Sequence, residues 1–111
     1  DKINKDLEVL KTTVINEIDL SSISDGTYKG NYTAIPIKVI VEVTIKDNKI
    51  EDIRILEHLN GQGKAAEQIT DKIIELQKIN VDSISGATYS SKVILLAVEN
   101  ALKKSPDGEI D

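Results

Sequence analysis

The segment from Ile37 to Lys46 constrains the fold most, because every second residue in it, starting at Ile37, is a valine or an isoleucine. This period-two pattern predicts a β-strand that buries one face against a core. The next two residues, Asp47 and Asn48, tolerate positive φ angles and predict a tight hairpin turn. The chain from Lys49 to His58 then supplies the return strand, so an antiparallel hairpin is predicted at the centre of the sequence.

A further strand is predicted just before this hairpin, from Thr27 to Thr33, where strand-forming residues flank a single glycine. Gly30 within it indicates either a bulge or the close approach of another part of the chain. Pro36 cannot donate a ladder hydrogen bond, so it marks an edge or the start of a strand. Together these segments predict three antiparallel strands.

Three segments predict helices before and after the strands. The first has an apolar stripe with spacings of three and four residues, and the second has a shorter stripe of the same kind. The residues of these two stripes are Ile3, Leu7, Leu10, Val14 and Ile18, and Ala66, Ile69, Ile73 and Leu76. The third segment, Val93 to Leu102, is apolar nearly all round and is predicted to be buried. This order of elements predicts an α+β domain, a small antiparallel sheet packed with helices.

The length of 111 residues leaves room for one core. We divide the chain into a helix or stalk at residues 1–20, a domain at residues 25–104 and a polar tail at residues 105–111. The first helix either packs on the domain or forms a stalk from an anchor upstream. Because the chain has no methionine, we expect a processed product or an excised piece of a longer protein.

Composition excludes several classes of function. A net charge of −5 argues against nucleic-acid binding, which depends on basic residues. The chain has no cysteine and one histidine, so thiol catalysis, cysteine-based metal sites and multi-histidine centres are excluded. No apolar run reaches the roughly 20 residues of a membrane span. The lack of cysteine suits an oxidising compartment outside the cytoplasm, and is also common by chance in a short chain.

The segment from Asp82 to Ser91 joins a loop to the buried helix. The first amides of that helix lack intrahelical acceptors, and Ser85, Thr88 or Ser90 can cap them. Free amides and the helix dipole also favour an anion such as a phosphate. Neither a dinucleotide-binding glycine pattern nor a P-loop is present, so an ordinary helix cap and an anion site both remain open.

The stretch Asp82-x-x-Ser85-Gly86-Ala87-Thr88 resembles the flavinylation motif of the FMN-binding domain family. This family includes the FMN-carrying subunits of the Rnf and sodium-pumping NADH:quinone oxidoreductase complexes and domains of extracytoplasmic reductases. The resemblance extends over residues 25–104. Asp25-Gly26-Thr27-Tyr28-Lys29-Gly30 resembles the opening strand of the family. The stretch from Ile53 to His58 resembles the strand that leads to the family's cofactor loop.

The resemblance implies that Thr88 carries FMN through a phosphoester bond. A separate flavin transferase would install it from FAD, with a divalent metal, outside the cytoplasm. Asp82 matches the acidic position of the motif, which implies a role in recognition by the transferase, and it could equally cap a nearby turn. The remaining candidate cofactor-binding residues are Ser85, Gly86, Ala87, Tyr89, Ser90, His58, Gly61 and Gly63. No residue is predicted to be catalytic or to bind a metal.

Four of these candidates, His58, Gly61, Gly63 and Tyr89, have an alternative structural interpretation. His58 approaches the flavin edge or is an exposed histidine at the end of a strand. Gly61 and Gly63 either let the backbone approach the flavin or shape a loop. The aromatic residues that could stack on the flavin ring are Tyr28, Tyr32 and Tyr89, and each could instead be a packing residue.

The sequence departs from the family pattern in two places. Many members have a Glu-Thr-Pro-Gly-type stretch after the histidine, where this chain has Leu59-Asn60-Gly61-Gln62-Gly63. Many also have a glycine-rich stretch in the early strands, where this chain has Ala34-Ile35-Pro36. Both departures affect the non-covalent contacts expected for the flavin and leave the attachment motif intact.

The resemblance therefore implies an electron-transfer flavoprotein domain that carries FMN on Thr88, rather than a stand-alone enzyme. Its implied partners are the flavin transferase and redox proteins or domains. The implied location is extracytoplasmic, with a parent protein that is membrane-anchored or at the cell surface. The alternative is a surface interaction module that binds flavin non-covalently or not at all. A hydrolase has little support, because the single histidine has no nucleophile motif beside it.

Overall fold

The computed structural model describes residues 2–61 and 64–103, with side chains from residue 7 onward. Two short 3₁₀ helices, Leu20–Ser22 and Lys64–Gln68, accompany the helices and strands. The helices are α1 (Lys2–Thr12), α2 (Ile69–Leu76) and α3 (Thr88–Leu102), and the strands are β1 (Gly26–Ala34), β2 (Ile37–Lys46) and β3 (Lys49–Leu59). This is the predicted α+β fold. The predicted tail at residues 105–111 and the candidate Gly63 lie outside the described residues.

The three strands form one antiparallel sheet with β2 in the middle. The period-two prediction for β2 is confirmed, since one face of the strand is fully buried in the core. The residues of that face are Ile37, Val39, Val41, Val43 and Ile45. The hairpin is also confirmed, because Asp47 and Asn48 have φ angles of 53° and 61°. Two consecutive positive φ angles are the geometry of a tight turn that matches the twist of the flanking strands.

Helix α3 packs across β1 and β2 and fills the core, as predicted from its apolar composition. Gly30 makes this packing possible. A Cβ atom at this position would lie 2.3 Å from Ala101 N and 2.4 Å from Ala97 O, both on the backbone of α3. The strand register through Gly30 is unbroken. The glycine therefore serves the close approach of two backbones and marks no bulge.

Helix α1 is shorter than the apolar stripe predicted. The helix ends at Thr12, and Val14, which belonged to the stripe, is 71% exposed. The hydroxyls of Thr12 and Thr13 both donate to the carbonyl of Val9, at 3.2 and 2.8 Å. These bonds, with the β-branched run that follows, offer the backbone an alternative to further helical turns. The prediction of helix up to Ile18 is therefore wrong.

The segment after α1 is attached to the domain by two glutamates. The Glu17 carboxylate accepts the backbone amides of Ile79 and Asn80 at 2.9 and 2.8 Å. Glu99, on α3, accepts the backbone amide and the side-chain amide of Asn16 at 3.0 and 3.2 Å. Since Leu10 of α1 is also buried in the core, the described N-terminal segment packs on the domain.

Glu99 is a buried carboxylate whose charge is compensated locally. Burial alone would raise its pKa, but hydrogen bonds from Lys103 and Asn16, and the charge of Lys103, together lower the pKa below its ordinary value. Lys103 Nζ lies 2.7 Å from Glu99 Oε2. The ionised carboxylate is therefore stabilised in the folded state, where it holds the N-terminal segment against α3.

Helix α2 ends at Leu76, three residues after its last buried residue, Ile73. Ala66 and Ile69 are buried as predicted, and so is Ile73, but Leu76 is 56% exposed and does not belong to the stripe. Gln77 follows in the left-handed conformation, and its side chain bonds to both backbone groups of Ile50. This left-handed residue ends the helix at Leu76. Within residues 2–61 and 64–103, no helix is long and apolar enough to cross a membrane.

Candidate functional site

Thr88, the predicted attachment residue, is exposed at the first position of α3. The loop in front of it is also open to solvent. Gly86 has a φ angle of 80°, which glycine adopts without strain, and an added Cβ atom would meet nothing within 4 Å. Asp82 and Ser85 are exposed in the same loop. Thr88 and the loop residues Asp82, Ser85 and Gly86 are therefore open to solvent.

The start of α3 corrects one prediction. The N-cap residue is Ala87, whose methyl side chain makes no capping hydrogen bond. The predicted hydroxyl cap from Ser85, Thr88 or Ser90 is therefore wrong, because the cap position falls on the alanine of the motif. The loop is held by a different serine, since Ser91 is fully buried and its Oγ accepts the amide of Ile84 at 3.0 Å.

His58 forms the centre of a hydrogen-bonded chain behind Thr88. Its Nδ1 lies 3.0 Å from Glu67 Oε2, and its Nε2 lies 3.1 Å from Ser90 Oγ. Nδ1 donates a hydrogen bond when it carries the proton, and the carboxylate oxygen of Glu67 accepts it. The chain thus connects the end of β3, the 3₁₀ helix before α2 and the first turn of α3. Because the His58 side chain is only 6% exposed, the alternative of an exposed strand-end histidine is wrong.

Gly61 packs directly on this chain. A Cβ atom on Gly61 would lie 2.0 Å from His58 Nε2 and 2.4 Å from Ser90 Oγ. The glycine therefore lets the backbone after β3 cover the His58–Ser90 hydrogen bond. A serine, a histidine and a carboxylate in a row resemble a hydrolase triad, but Ser90 is 0% exposed and enclosed by Gly61, so its hydroxyl cannot reach a substrate.

A cleft of about 190 Å³ opens beside Thr88, between α1 and α3. Two lysines, two hydroxyl side chains and a tyrosine contribute to its walls. The lining residues are Leu10, Lys11, Ser83, Thr88, Tyr89 and Lys92. The Glu8 carboxylate, and after it the Tyr89 hydroxyl, raise the pKa of Lys11, so this lysine is charged at neutral pH. We call these six residues the α1–α3 cleft.

Sequence reasoning identified Thr88 and Tyr89 in this cleft but missed its two lysines. Lys92 could have been found, because it stands one helical turn after Thr88 and so lies on the same face of α3. Lys11 gave no such signal, since 77 positions separate it from Thr88 in the sequence. Only the packing of α1 on α3 brings it to the site.

The other two tyrosines lie elsewhere. Tyr28 is 2% exposed and donates its hydroxyl to the carbonyl of Ser24 at 2.7 Å, so it is a packing residue. Tyr32 is half-buried against the core, on β1. Tyr89 is thus the tyrosine placed at the candidate site.

A larger cleft, of about 340 Å³, lies at the hairpin turn. Its lining residues are Lys46, Asp47, Lys49, Ile50, Glu51 and Gln77. It contains none of the predicted site residues, and its lining mixes both signs of charge. Among the described side chains, those of residues 7–61 and 64–103, no group of three or more His, Asp or Glu residues is placed to hold a metal ion.

Comparison with known proteins identifies the family. Residues 33–103 match the model of the FMN-binding domain. A 65-residue segment, 56% of this chain, is 40% identical to an NADH:acrylate oxidoreductase of Vibrio harveyi, of which it covers 6%. A segment of 87 residues, 76% of this chain, is 29% identical to an uncharacterized protein of Treponema pallidum (strain Nichols), of which it covers 24%. The chain thus matches only a small part of each of these longer relatives. It belongs to the FMN-binding domain family, and FMN is its cofactor.

Proposed function

We propose that this domain carries FMN covalently on Thr88 and serves as an electron carrier between partner proteins or domains. The observation that supports this most is the exposure of the Thr88 hydroxyl in an open loop–helix junction. The neighbouring serines, Ser90 and Ser91, are buried and hydrogen-bonded within the domain. Thr88 is therefore the hydroxyl of this turn that a second protein can reach.

The attachment step is a group transfer from FAD, catalysed by a separate flavin transferase. The Thr88 Oγ1–phosphorus bond forms, and the bond between that phosphorus and the bridging oxygen of the pyrophosphate breaks. AMP leaves with the bonding electron pair, and the hydroxyl proton passes to a base of the transferase. A threonine hydroxyl is a weak nucleophile, and no hydrogen bond joins the Thr88 hydroxyl to a base among the described side chains, so the activation is assigned to the transferase.

The residues of this domain fix the position of the attachment point. The chain from Glu67 through His58 to Ser90 holds the first turn of α3, and Ser91 holds the preceding loop. When bound, FMN supplies one- and two-electron chemistry, and the protein supplies its orientation and its electrostatic surroundings. A rigid attachment point limits the region in which the flavin can move relative to a redox partner.

We further propose an extracytoplasmic location and a parent protein that is anchored to a membrane or a cell surface. The absence of cysteine fits an oxidising compartment. A covalent bond is also most useful outside the cell, where a dissociated cofactor would be lost by dilution. The similarity to a segment of an NADH:acrylate oxidoreductase supports a carrier role for such a domain within a larger reductase.

The test is the intact mass of the denatured protein after co-expression with a flavin transferase. We expect a gain of one FMN minus one water, mapped to the peptide that contains Thr88. Thr88→Val should abolish this gain, whereas Thr88→Ser, which keeps a hydroxyl, should retain part of it. Thr33→Val is the matched control, because Thr33 is also exposed but lies on β1, and it should be modified like the parent chain.

Two results would contradict the proposal in different ways. Flavin that survives denaturation in Thr88→Val would show that another residue is the attachment site. An unmodified parent chain, in cells that modify a known substrate of the transferase, would favour non-covalent FMN binding by an interaction module.

A further inference from the structure

The α1–α3 cleft carries a local charge opposite to that of the chain as a whole. The net charge of the protein is −5, yet the ionisable lining of the cleft consists of two lysines and a tyrosine. No carboxylate of the described side chains lines the cleft, and Glu8, which pairs with Lys11 at 3.5 Å, lies outside the lining. A concentration of positive charge beside an exposed hydroxyl attracts a negatively charged group.

Lys92 is available to such a group. Among the described side chains, those of residues 7–61 and 64–103, no carboxylate lies within ion-pair distance of its ammonium group. Lys92 stands four residues after Thr88 on α3, and residues at this spacing are neighbours on one face of a helix. A phosphate esterified to Thr88 would therefore lie within one helical turn of an unpaired lysine.

Lys11 approaches the same point from the other wall. Its ion pair with Glu8 measures 3.5 Å, with side-chain exposures of 53% and 70%, and pairs this exposed are weak. The residue before it, Leu10, is 1% exposed, so the end of α1 is anchored in the core. Lys11 can thus turn to a new anion without detaching its helix.

We propose that Lys11 and Lys92 bind the phosphate of the flavin attached to Thr88, so that α1 is part of the flavin site. The inference rests on the proposed covalent attachment. It adds a contribution from outside the matched family segment, since that segment begins at residue 33. The diester phosphate would keep one negative charge, which Lys11 on α1 and Lys92 on α3 could contact from opposite walls of the cleft.

The experiment is hydrogen exchange of the last turn of α1, measured on each protein before and after flavinylation. In the parent chain we expect these amides to exchange about threefold more slowly after flavinylation, the scale of partly exposed ion pairs. Lys11→Gln and Lys92→Gln should each lose most of this slowing. Lys72→Gln is the matched control, because Lys72 is also half-buried and lies on α2, away from the cleft. Comparing each variant with its own unmodified form removes any direct effect on helix stability.

The mass and the exchange rate distinguish the two proposals. A parent chain that gains no flavin would overturn the attachment at Thr88 and the phosphate site with it. A parent chain that gains flavin without slower exchange in α1 would overturn the phosphate site alone. The phosphate site would also be overturned if flavinylation slowed exchange in Lys11→Gln and Lys92→Gln as much as in Lys72→Gln. The slowing of exchange in α1 should also become smaller at about 1 M salt, where the Debye length is about 3 Å. Slowing of the same size at this salt concentration would indicate apolar packing instead of a phosphate–lysine contact.

Discussion

Gly61→Ala is predicted to disturb the first turn of α3, where we propose that the flavin is attached, through the His58–Ser90 hydrogen bond. The added Cβ atom would lie 2.0 Å from His58 Nε2 and 2.4 Å from Ser90 Oγ, whereas ordinary contacts begin at 3.4 Å. Nε2 must therefore retreat by about 1.4 Å and Oγ by about 1.0 Å. The bond between them measures 3.1 Å, so retreats of this size in different directions break it.

The free energy of unfolding should fall by about 2–3 kcal/mol. Loss of a buried hydrogen bond with an unsatisfied partner costs about 1–3 kcal/mol. Overpacking in a filled site adds about 1–3 kcal/mol. The two contributions overlap here, because the movement that relieves the overlap is the same movement that breaks the bond. Urea unfolding measures the sum, and flavinylation yield measures the effect on Thr88, which we expect to decrease.

A double-mutant cycle with Ser90→Ala tests this explanation. If both changes act on the same bond, the double variant should be more stable than the sum of the two single effects predicts, by about 1 kcal/mol. Gly86→Ala is the matched control, because it adds the same methyl group where nothing lies within 4 Å. Its cost comes from its φ angle of 80° and should add to that of Ser90→Ala. Additivity within about 0.5 kcal/mol for Gly61→Ala would refute the proposed coupling.

Three further variants test the fold. Gly30→Ala places a Cβ atom 2.3 Å from the backbone of Ala101, which cannot rotate away, so urea unfolding should show a loss of about 3 kcal/mol or more, and a near-neutral result would contradict the close approach of α3 and β1. Leu96→Ala removes a 5% exposed side chain and should cost about 2–5 kcal/mol in the same assay; a negligible loss would argue against its burial. The pKa of Glu99 is lowered on folding from an ordinary 4.5, so its stabilisation is present above that pH and is lost as the pH falls through the lower folded value. Glu99→Gln should therefore be less stable than the parent chain at pH 7, and unfolding curves should converge below pH 4.5; a constant difference at all pH values would contradict the role of the charge.

The sheet could be predicted because its signals are local. Valine and isoleucine at alternate positions of β2 have one arrangement that buries them all, and Asp47-Asn48 determines where the strand turns. The sequence did not decide whether Gly30 marks a bulge or a close approach, because the answer depends on α3, about 70 residues away. The prediction of where α1 ends was wrong for a related reason. The spacing continued to Ile18, but the threonine hydroxyls at positions 12 and 13 bond to the backbone and favour an end that apolar spacing does not reveal.

At the site, the motif identified the exposed residue, and the geometry revealed what surrounds it. Thr88 could be found because its neighbours in sequence carry the resemblance. The expected hydroxyl cap was wrong, since Ala87 occupies the N-cap and the serines of the next turn point inward. The partners of His58 could not be predicted, because Glu67 and Ser90 come from two other elements and neither spacing is periodic.

The N-terminal segment shows why the motif alone does not define the site. An amphipathic stripe is compatible with a stalk and with a docked helix, so the sequence left both open. The choice follows from two glutamates: Glu17 binds the backbone after α2, and Glu99 binds Asn16, while Leu10 fills the core. These contacts place Lys11 beside Thr88, although the family match begins at residue 33. If Lys11 and Lys92 bind the flavin phosphate as proposed, the unit that positions the flavin includes a helix that the matched segment lacks. Relatives without such a helix would then need another source of positive charge at this place.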